Sequence, residues 1–168
     1  MNESIITVCH KDADTSVIER VITLKQSAWP YPKDSQIKWI KENLRQEDIH
    51  VFLCDNGQDV SYLNLVQIQF QINDSHYDGY GIGNVCAKIK GQGYGNQLVK
   101  LTNDYLRIEN KAGLLFCHEP LIRFYSGCNW ILVPSEKCVR PKLYQGIYAM
   151  AYNIKEDIDS LIYNGKLF

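Results

Sequence analysis

The 168-residue chain has no long apolar run and no excess of either charge. Its longest apolar stretches hold only a few residues, as in Gly113–Cys117. A helix needs ~20 apolar residues to cross a bilayer, so no membrane span is expected. Met1-Asn2-Glu3-Ser4 lacks the basic start and apolar core of a signal peptide. The 18 Lys and Arg stand against 19 Asp and Glu. No basic stripe is present, so nucleic acid is not expected as a partner. Six cysteines occur, at Cys9, Cys54, Cys86, Cys117, Cys128 and Cys138, without any Cys-x-x-Cys pair. They are read as buried free thiols of a reducing, cytoplasmic compartment, with no metal site. With 11 Gly and 5 Pro, collagen-like and low-complexity chains are excluded. What remains is ordinary for a folded protein: 45% hydrophobic and 22% charged residues. One domain over 1–168 is expected, large enough to need no metal or disulfide staple.

Local pattern gives an element order. Ser4 to Cys9 reads as a strand. Ser16-Val17-Ile18-Glu19 is a capping box, with Val17, Val21, Leu24 and Ala28 at helical spacing behind it. Pro30 and Pro32 stop that helix near Trp29. A second helix from about Ser35 lines Ile37, Ile40 and Leu44 on one face. His50 to Cys54 reads as a strand, and Asp55-Asn56-Gly57-Gln58 as a tight hairpin turn. The return strand runs from Val60 to Ile72, with Leu63, Leu65 and Gln67 on one face and Asn64, Val66 and Ile68 on the other. After Asn73-Asp74-Ser75 another strand runs from Tyr77 to Ile89. A helix with Leu98, Leu101 and Tyr105 on its buried face succeeds a glycine turn. Leu114 to Cys117 is then a buried strand of parallel type. Leu121 to Gly127 reads as a short helix, and Trp130 to Val133 and Tyr148 to Ile154 as strands. Pro134 to Gly146 reads as a loop whose Lys137, Arg140 and Lys142 are solvated. His10 and His50 read as surface residues. The whole is an α/β (α+β) fold with a mixed sheet.

The chemistry concentrates in Val85-Cys86-Ala87-Lys88-Ile89-Lys90-Gly91-Gln92-Gly93-Tyr94-Gly95-Asn96. A strand ends, glycines alternate and a helix starts. Helix N-termini offer unpaired N–H groups and a partial positive charge, and glycines let the backbone approach a phosphate closely. The segment is an anion cradle. It is not a P-loop, because no Lys-Ser or Lys-Thr comes after the glycines. It is not a Rossmann fingerprint, because the spacing is Gly91-x-Gly93-x-Gly95 and several strands precede it.

Lys90-x-x-Gly93-x-Gly95 resembles the [QR]-x-x-G-x-[GA] signature of the GNAT superfamily of N-acetyltransferases, with Lys in place of Gln or Arg. Downstream, Leu114-Leu115-Phe116-Cys117 leads to Leu121-Ile122-Arg123-Phe124-Tyr125-Ser126-Gly127-Cys128-Asn129-Trp130. That stretch looks like the family's second signature, an aromatic-Tyr pair and then a turn into Gly-Phe or Gly-Trp. Asn129 stands where Gly is usual, which puts the shape of that turn in question. The element order resembles the family's from Ser4 to Ile154. The Leu-Leu-Phe-Cys…Phe-Tyr…Trp portion is also similar to aminoglycoside 2′-N-acetyltransferase-like sequences. An aminoglycoside site calls for an acidic cleft, and only Asp74 and Asp78 lie near.

The resemblance implies a mostly antiparallel sheet of six to seven strands flanked by about four helices, with a splayed parallel pair in the middle. It implies acetyl-CoA as co-substrate. The pantetheine arm would pair with Val85, Cys86 and Ala87. The pyrophosphate would sit on backbone N–H groups of Gly91, Gly93, Tyr94, Gly95 and Asn96, with Lys90 and Gln92 also cofactor-binding, and His118 would reach the cofactor arm. Tyr125 matches the family's general-acid tyrosine. Asp78 stands about a dozen residues ahead of the motif, where several members carry a base, with His76 and Tyr80 on the same side of an extended strand. A lysine-like amine has a pKa of ~10.4, so a base assists its attack, and Tyr125 at ~10 can return a proton to a thiolate at ~8.5. Trp29 and Tyr31 offer aromatic faces to a cationic acceptor.

The expected activity is direct acetyl transfer to a primary amine of a small molecule or peptide through a ternary complex, by a monomer or homodimer. A non-catalytic acyl-CoA-binding or sensor module on the same fold is the alternative. A protein-interaction domain is the third class and predicts no coenzyme A binding.

Overall fold

The computed structural model describes residues 3–168. Its described residues form nine strands and four α-helices. In chain order they are β1 (Glu3–Cys9), α1 (Thr15–Ala28), α2 (Lys33–Asn43), β2 (Ile49–Asp55), β3 (Gln58–Ile72) and β4 (Ser75–Ala87). They continue with α3 (Tyr94–Ile108), β5 (Ala112–His118), α4 (Glu119–Ser126), β6 (Ile131–Val133), β7 (Cys138–Arg140), β8 (Ile147–Tyr152) and β9 (Leu161–Ile162). The strand order is β1-β2-β3-β4-β5-β8-β6, with β9 pairing both β3 and β7. Most pairs are antiparallel, and β4 runs parallel to β5. This is the mixed α/β architecture that the motifs imply. It carries two more strands than expected, because 134–146 is not all loop: it holds β7, which pairs in parallel with the two-residue β9. Lys137 there is tied down, its Nζ donating to the Ile158 carbonyl at 2.8 Å. No described helix is long and apolar enough to cross a membrane.

The chain divides into two compact units. One takes in the chain up to Val66 together with Gly83–Thr102; the other holds Gln67–Ile82 and Asn103–Phe168.

In the first unit, α1 starts one residue before the expected box. Its N-cap is Asp14, whose carboxylate accepts from the Val17 N–H at 2.9 Å. Asp caps as well as Ser does and here precedes it in the chain. The α1–α2 pair buries Val21, Ile22, Leu24 and Ile40 with Phe52 and Tyr62 of the sheet. The hairpin turn carries Asn56 at φ 49° and Gly57 at φ 77°, the left-handed pair that an Asn-Gly turn requires. Strand β3 is buried on both faces from Val60 to Leu65, then alternates Ile68, Phe70 and Ile72 against more exposed glutamines. Helix α3 does not bury the expected Leu98, Leu101, Tyr105 stripe. Its buried residues are Leu98, Val99, Thr102, Asn103 and Leu106, so two polar residues stand on the core side.

His50 is fully buried, not a surface residue. It sits in a hydrogen-bonded chain: its Nε2 meets His10 Nδ1 at 2.9 Å and its Nδ1 meets the Tyr62 hydroxyl at 2.8 Å. A neutral imidazole satisfies both contacts when the tyrosine donates to Nδ1 and Nε2–H donates to His10. Burial, with His10 and Lys25 nearby, pulls its pKa down to about 4. Lys25 on α1 is also in the core, 4% exposed, with its ammonium 3.8 Å from the centre of the Trp39 ring. Burial draws its pKa down to about 8 against the partial help of Cys86. Holding that charge inside costs on the order of 3 kcal/mol, more than the ~1–2 kcal/mol a ring face returns.

In the second unit, β4 and β5 touch closely. Gly79 pairs with Ala112, Tyr80 with Gly113 and Gly81 with Leu114. A Cβ on Gly79 would lie 2.4 Å from the Ala112 carbonyl oxygen, so only glycine fits there. Gly113 is needed for the same reason, since a Cβ would lie 2.5 Å from the Trp130 ring.

The two buried bases make stability depend on pH. Lys25→Met is expected to raise the melting temperature at pH 7. The unfolded lysine takes up its proton below pH 10.5 and the folded one only below about 8, so the gain should shrink as pH rises from 8 to 10.5. For His50, the unfolded chain binds a proton from about pH 6.5 and the folded chain only near 4, so stability present above 6.5 is lost as pH falls through that window. Urea titrations at steps from pH 7 to 4 should show that loss, reduced in His50→Gln.

Candidate active site

Strand β4 changes character at Asn84. This residue adopts φ 55°, a left-handed conformation inside an otherwise extended strand. Asn tolerates it because a short polar side chain can bond locally. Here Asn84 Nδ2 donates to Asn64 Oδ1 on β3 at 2.6 Å. One left-handed residue interrupts the extended run just before the last three residues of the strand. Those residues are Val85-Cys86-Ala87, the segment expected to pair with a pantetheine arm. Val85 and Ala87 are half-buried and Cys86 is buried in the α1–α2 core. Burial pushes the Cys86 thiol up to about 12, which makes it a packing residue and not a nucleophile. The Ala87 carbonyl accepts from Ser27 Oγ at 3.1 Å, so α1 fixes the end of the strand. The Lys88 N–H donates to the Val60 carbonyl at 2.8 Å.

The glycine loop then turns into α3. Gly91 has φ 81° and Gly93 φ 80°. A Cβ at either would meet nothing within 4 Å, so glycine is required there by conformation and not by crowding. The backbone is open, and Lys90, Gly91, Gln92 and Gly93 are exposed. The first i→i−4 bond of α3 runs from the Gln97 N–H to the Gly93 carbonyl at 3.0 Å. The N–H groups at the helix start therefore precede the ladder, as an anion site requires. The loop is braced from β2 and β3: Tyr94 Oη donates to Asp55 at 3.2 Å, and Ser61 Oγ donates to the Tyr94 carbonyl at 3.2 Å. A cleft of ≈ 290 Å³ beside it is lined by Asp55, Gln58, Lys88, Ile89 and Tyr94 among others. Trp29 packs on the α1–α2 core, and its carbonyl accepts from Gln36 Nε2 at 3.0 Å. Tyr31 is 62% exposed.

In the second unit, Asp78 is exposed and accepts from Gln69 Nε2 at 2.9 Å. His76 beside it is exposed and Tyr80 half-buried. His118 occupies the N-cap position of α4, is exposed, and makes no capping bond through its side chain. Tyr125 is 7% exposed, edge-on to Phe124 and Trp130, and burial raises its phenol pKa. It stays a proton donor at any physiological pH.

Asn129, where the motif usually carries Gly, has φ 64° and takes a left-handed conformation. That turn is held by Asn103 of α3, whose Nδ2 donates to the Cys128 carbonyl at 2.7 Å while its Oδ1 accepts from Trp130 Nε1 at 3.0 Å. Sequence reading missed Asn84, Asn64 and Asn103. For Asn103 the signal was a polar residue one helical turn from Val99.

Neither protein-family models nor curated proteins give a match to this chain. Solved structures do. Escherichia coli ElaA aligns with TM-score 0.62 and 16% identity over 90% of this chain and 99% of that one. The ribosomal-protein-S18-alanine N-acetyltransferase of Escherichia coli aligns with TM-score 0.61 and 15% identity over 99% and 100%. The catalytic domain of the Tetrahymena GCN5 histone acetyltransferase, solved with coenzyme A, aligns with TM-score 0.59 and 17% identity over 92% and 93%. The chain has the fold of the GNAT N-acetyltransferases.

Gly91→Ala and Gly93→Ala are expected to fold and to lose about 1–2 kcal/mol each, the cost of a side chain in the left-handed region. Thermal melts check this. An unchanged melting temperature would mean the loop relaxes out of its conformation.

Proposed function

We propose that the chain is an acetyl-CoA-dependent N-acetyltransferase acting on a primary amine of a small molecule or peptide. The observation that carries this reading is the succession of devices along one stretch of chain. A left-handed break at Asn84 leads into the half-buried strand end Val85–Ala87, and then into an open loop with glycines at φ 81° and 80° feeding a helix N-terminus. Strand backbone suits the amides of a pantetheine arm, and the loop suits its pyrophosphate.

Acetyl-CoA, when bound, supplies an activated thioester carbonyl to the amine and leaves as a thiol. The chain's own groups then have separate tasks. The N–H groups from Gly91 to Asn96 hold the pyrophosphate. A β4 backbone N–H at Val85 or its neighbour would be the donor to the carbonyl oxygen, where it contributes most as charge develops. The resemblance gives Tyr125 the part of the acid; a phenol held protonated by burial is suited to an acid's role and not to a base's. Asp78 would take the amine proton. Trp29 and Tyr31 receive the acceptor.

The exposure of Asp78 also favours a second reading, a non-catalytic acyl-CoA-binding or sensor module. Calorimetry with acetyl-CoA and coenzyme A on the wild type, Gly93→Glu and Tyr125→Phe tests both. Saturable binding that is lost in Gly93→Glu supports the cofactor site. A folded wild type that binds neither ligand at millimolar concentration removes it. Tyr125→Phe is expected to keep its affinity while thiol release with an amine falls by about 10²-fold. Unchanged output in that variant favours the sensor.

A further inference from the structure

Two aromatic rings stand on two glycines of the β4–β5 pair, and they are not alike. Gly113, paired with Tyr80, leaves the space that Trp130 fills. Gly81, paired with Leu114 one rung on, leaves the space that Phe168 fills, and a Cβ there would collide with its ring. Neighbouring rungs point to opposite faces, so the two rings lie on opposite sides of the sheet. Trp130 is a core residue, 3% exposed, with its indole N–H bonded to Asn103. Phe168 is half-buried. It is carried by residues 164–168, which form neither helix nor strand and of which 164–167 are exposed. Glycine at 79 is demanded by the Ala112 backbone, whereas glycine at 81 is demanded by a side chain on this strap. Glycine weakens a strand interior, and a β-branched residue at 81 would fill the same space without that cost.

The strap is nonetheless built to hold the ring in one place. The Phe168 ring centre lies 5.4 Å from that of Phe116 on β5 and 5.7 Å from that of Tyr163, the second contact edge-on. Tyr163 is buried; its N–H donates to the Arg140 carbonyl at 3.0 Å and its hydroxyl to the Lys166 carbonyl at 2.7 Å, which folds the strap back over it. Gly165 is needed beneath that bond, because a Cβ would collide with the Tyr163 phenol. The location matters for the proposed chemistry. Gly81–Leu114 is the last rung of the parallel pairing, and β4 runs on from it to Ala87. That continuation is the stretch to which the proposed function gives the pantetheine arm. The ring stands at its foot, with part of its surface open.

We propose that Phe168 is a specificity-determining residue, a wall that limits the girth of the acceptor at the carbon bearing its amine. The acceptor class is then an amine on an unbranched carbon. Amines on branched or ring carbons are refused, because the Phe168 ring fills the space over Gly81 that their side group would take. This rests on the acetyltransferase reading and narrows its substrate.

The test measures kcat/KM with acetyl-CoA for n-propylamine and cyclohexylamine, two amines of similar basicity, in the wild type, Phe168→Leu, Phe168→Ala and Leu167→Ala. The ratio of the two values is the readout, because it cancels general losses of activity. The wild type is expected to favour n-propylamine. That preference should fall about tenfold in Phe168→Ala and by less in Phe168→Leu, since room for a single methylene is already worth a factor of this order. Leu167→Ala changes the exposed part of the strap and should keep the wild-type ratio. An unchanged ratio in both Phe168 variants overturns the proposal. So does an equal shift in Leu167→Ala, which would make the effect a general loosening of the strap. So does a wild type that takes both amines equally well, or that binds acetyl-CoA and turns over neither. Failure of both Phe168 variants to fold also overturns it, because the ring would then serve the core. A wild type that does not bind acetyl-CoA in calorimetry instead removes the acetyltransferase reading, and the wall with it.

Discussion

Strand β4 has to be two things along its length, and much of the molecule serves that requirement. At Gly79 it lies so close to β5 that a Cβ would reach 2.4 Å from the Ala112 carbonyl oxygen. The parallel pairing ends at Gly81 and Leu114, while β4 itself continues to Ala87. Beyond the paired segment its backbone has to be available to something else. Asn84 provides the change, and the Asn64 amide holds it in place. Glycines and one left-handed Asn thus divide the strand: Gly79 permits the close approach to β5, Gly81 makes room for the Phe168 ring, and Asn84 breaks the extended run.

The groups around the strand end show how such a region is kept rigid. Ser27 on α1 caps the Ala87 carbonyl, Lys88 is pinned to Val60, and Tyr94 is braced by Asp55 and Ser61. The loop itself, by contrast, is open, with space around both left-handed glycines. Rigid flanks and an uncrowded loop are what a backbone binding site needs, because the N–H groups must be pre-aimed while the ligand enters freely.

The elements that could be read from sequence were those set by local rules. The Asn56-Gly57 turn, the proline stop before α2 and the glycine loop into α3 depend on residues adjacent in the chain, and all three are where local chemistry puts them. The α1 cap was displaced by one competitor, since Asp14 precedes Ser16 and takes the position. What stayed hidden depends on distant partners. Leu101 and Tyr105 fit a helical stripe, but Asn103 takes the core side because Trp130 and Cys128 supply its hydrogen bonds. His50 in an apolar strand reads as exposed until Tyr62 and His10 satisfy its ring. The short strands β7 and β9 carry too few residues to show a period, and they form through distant pairing, β9 with both β3 and β7.

Asn84 is the instructive case. In the run Gly-Ile-Gly-Asn-Val-Cys-Ala nothing marks the Asn as a turn, since no proline or polar cluster surrounds it. Its conformation is fixed by a partner twenty residues earlier, and that partner is left with an unused donor in the core. Two costs, a left-handed residue in a strand and an unpaired buried N–H, thus fall on one pair of side chains. Lys25, Trp39 and Cys86 repeat the pattern on the same side of the sheet, with a charge held in the core by an aromatic face. Stability alone would replace both Lys25 and Asn64 with apolar residues of similar size.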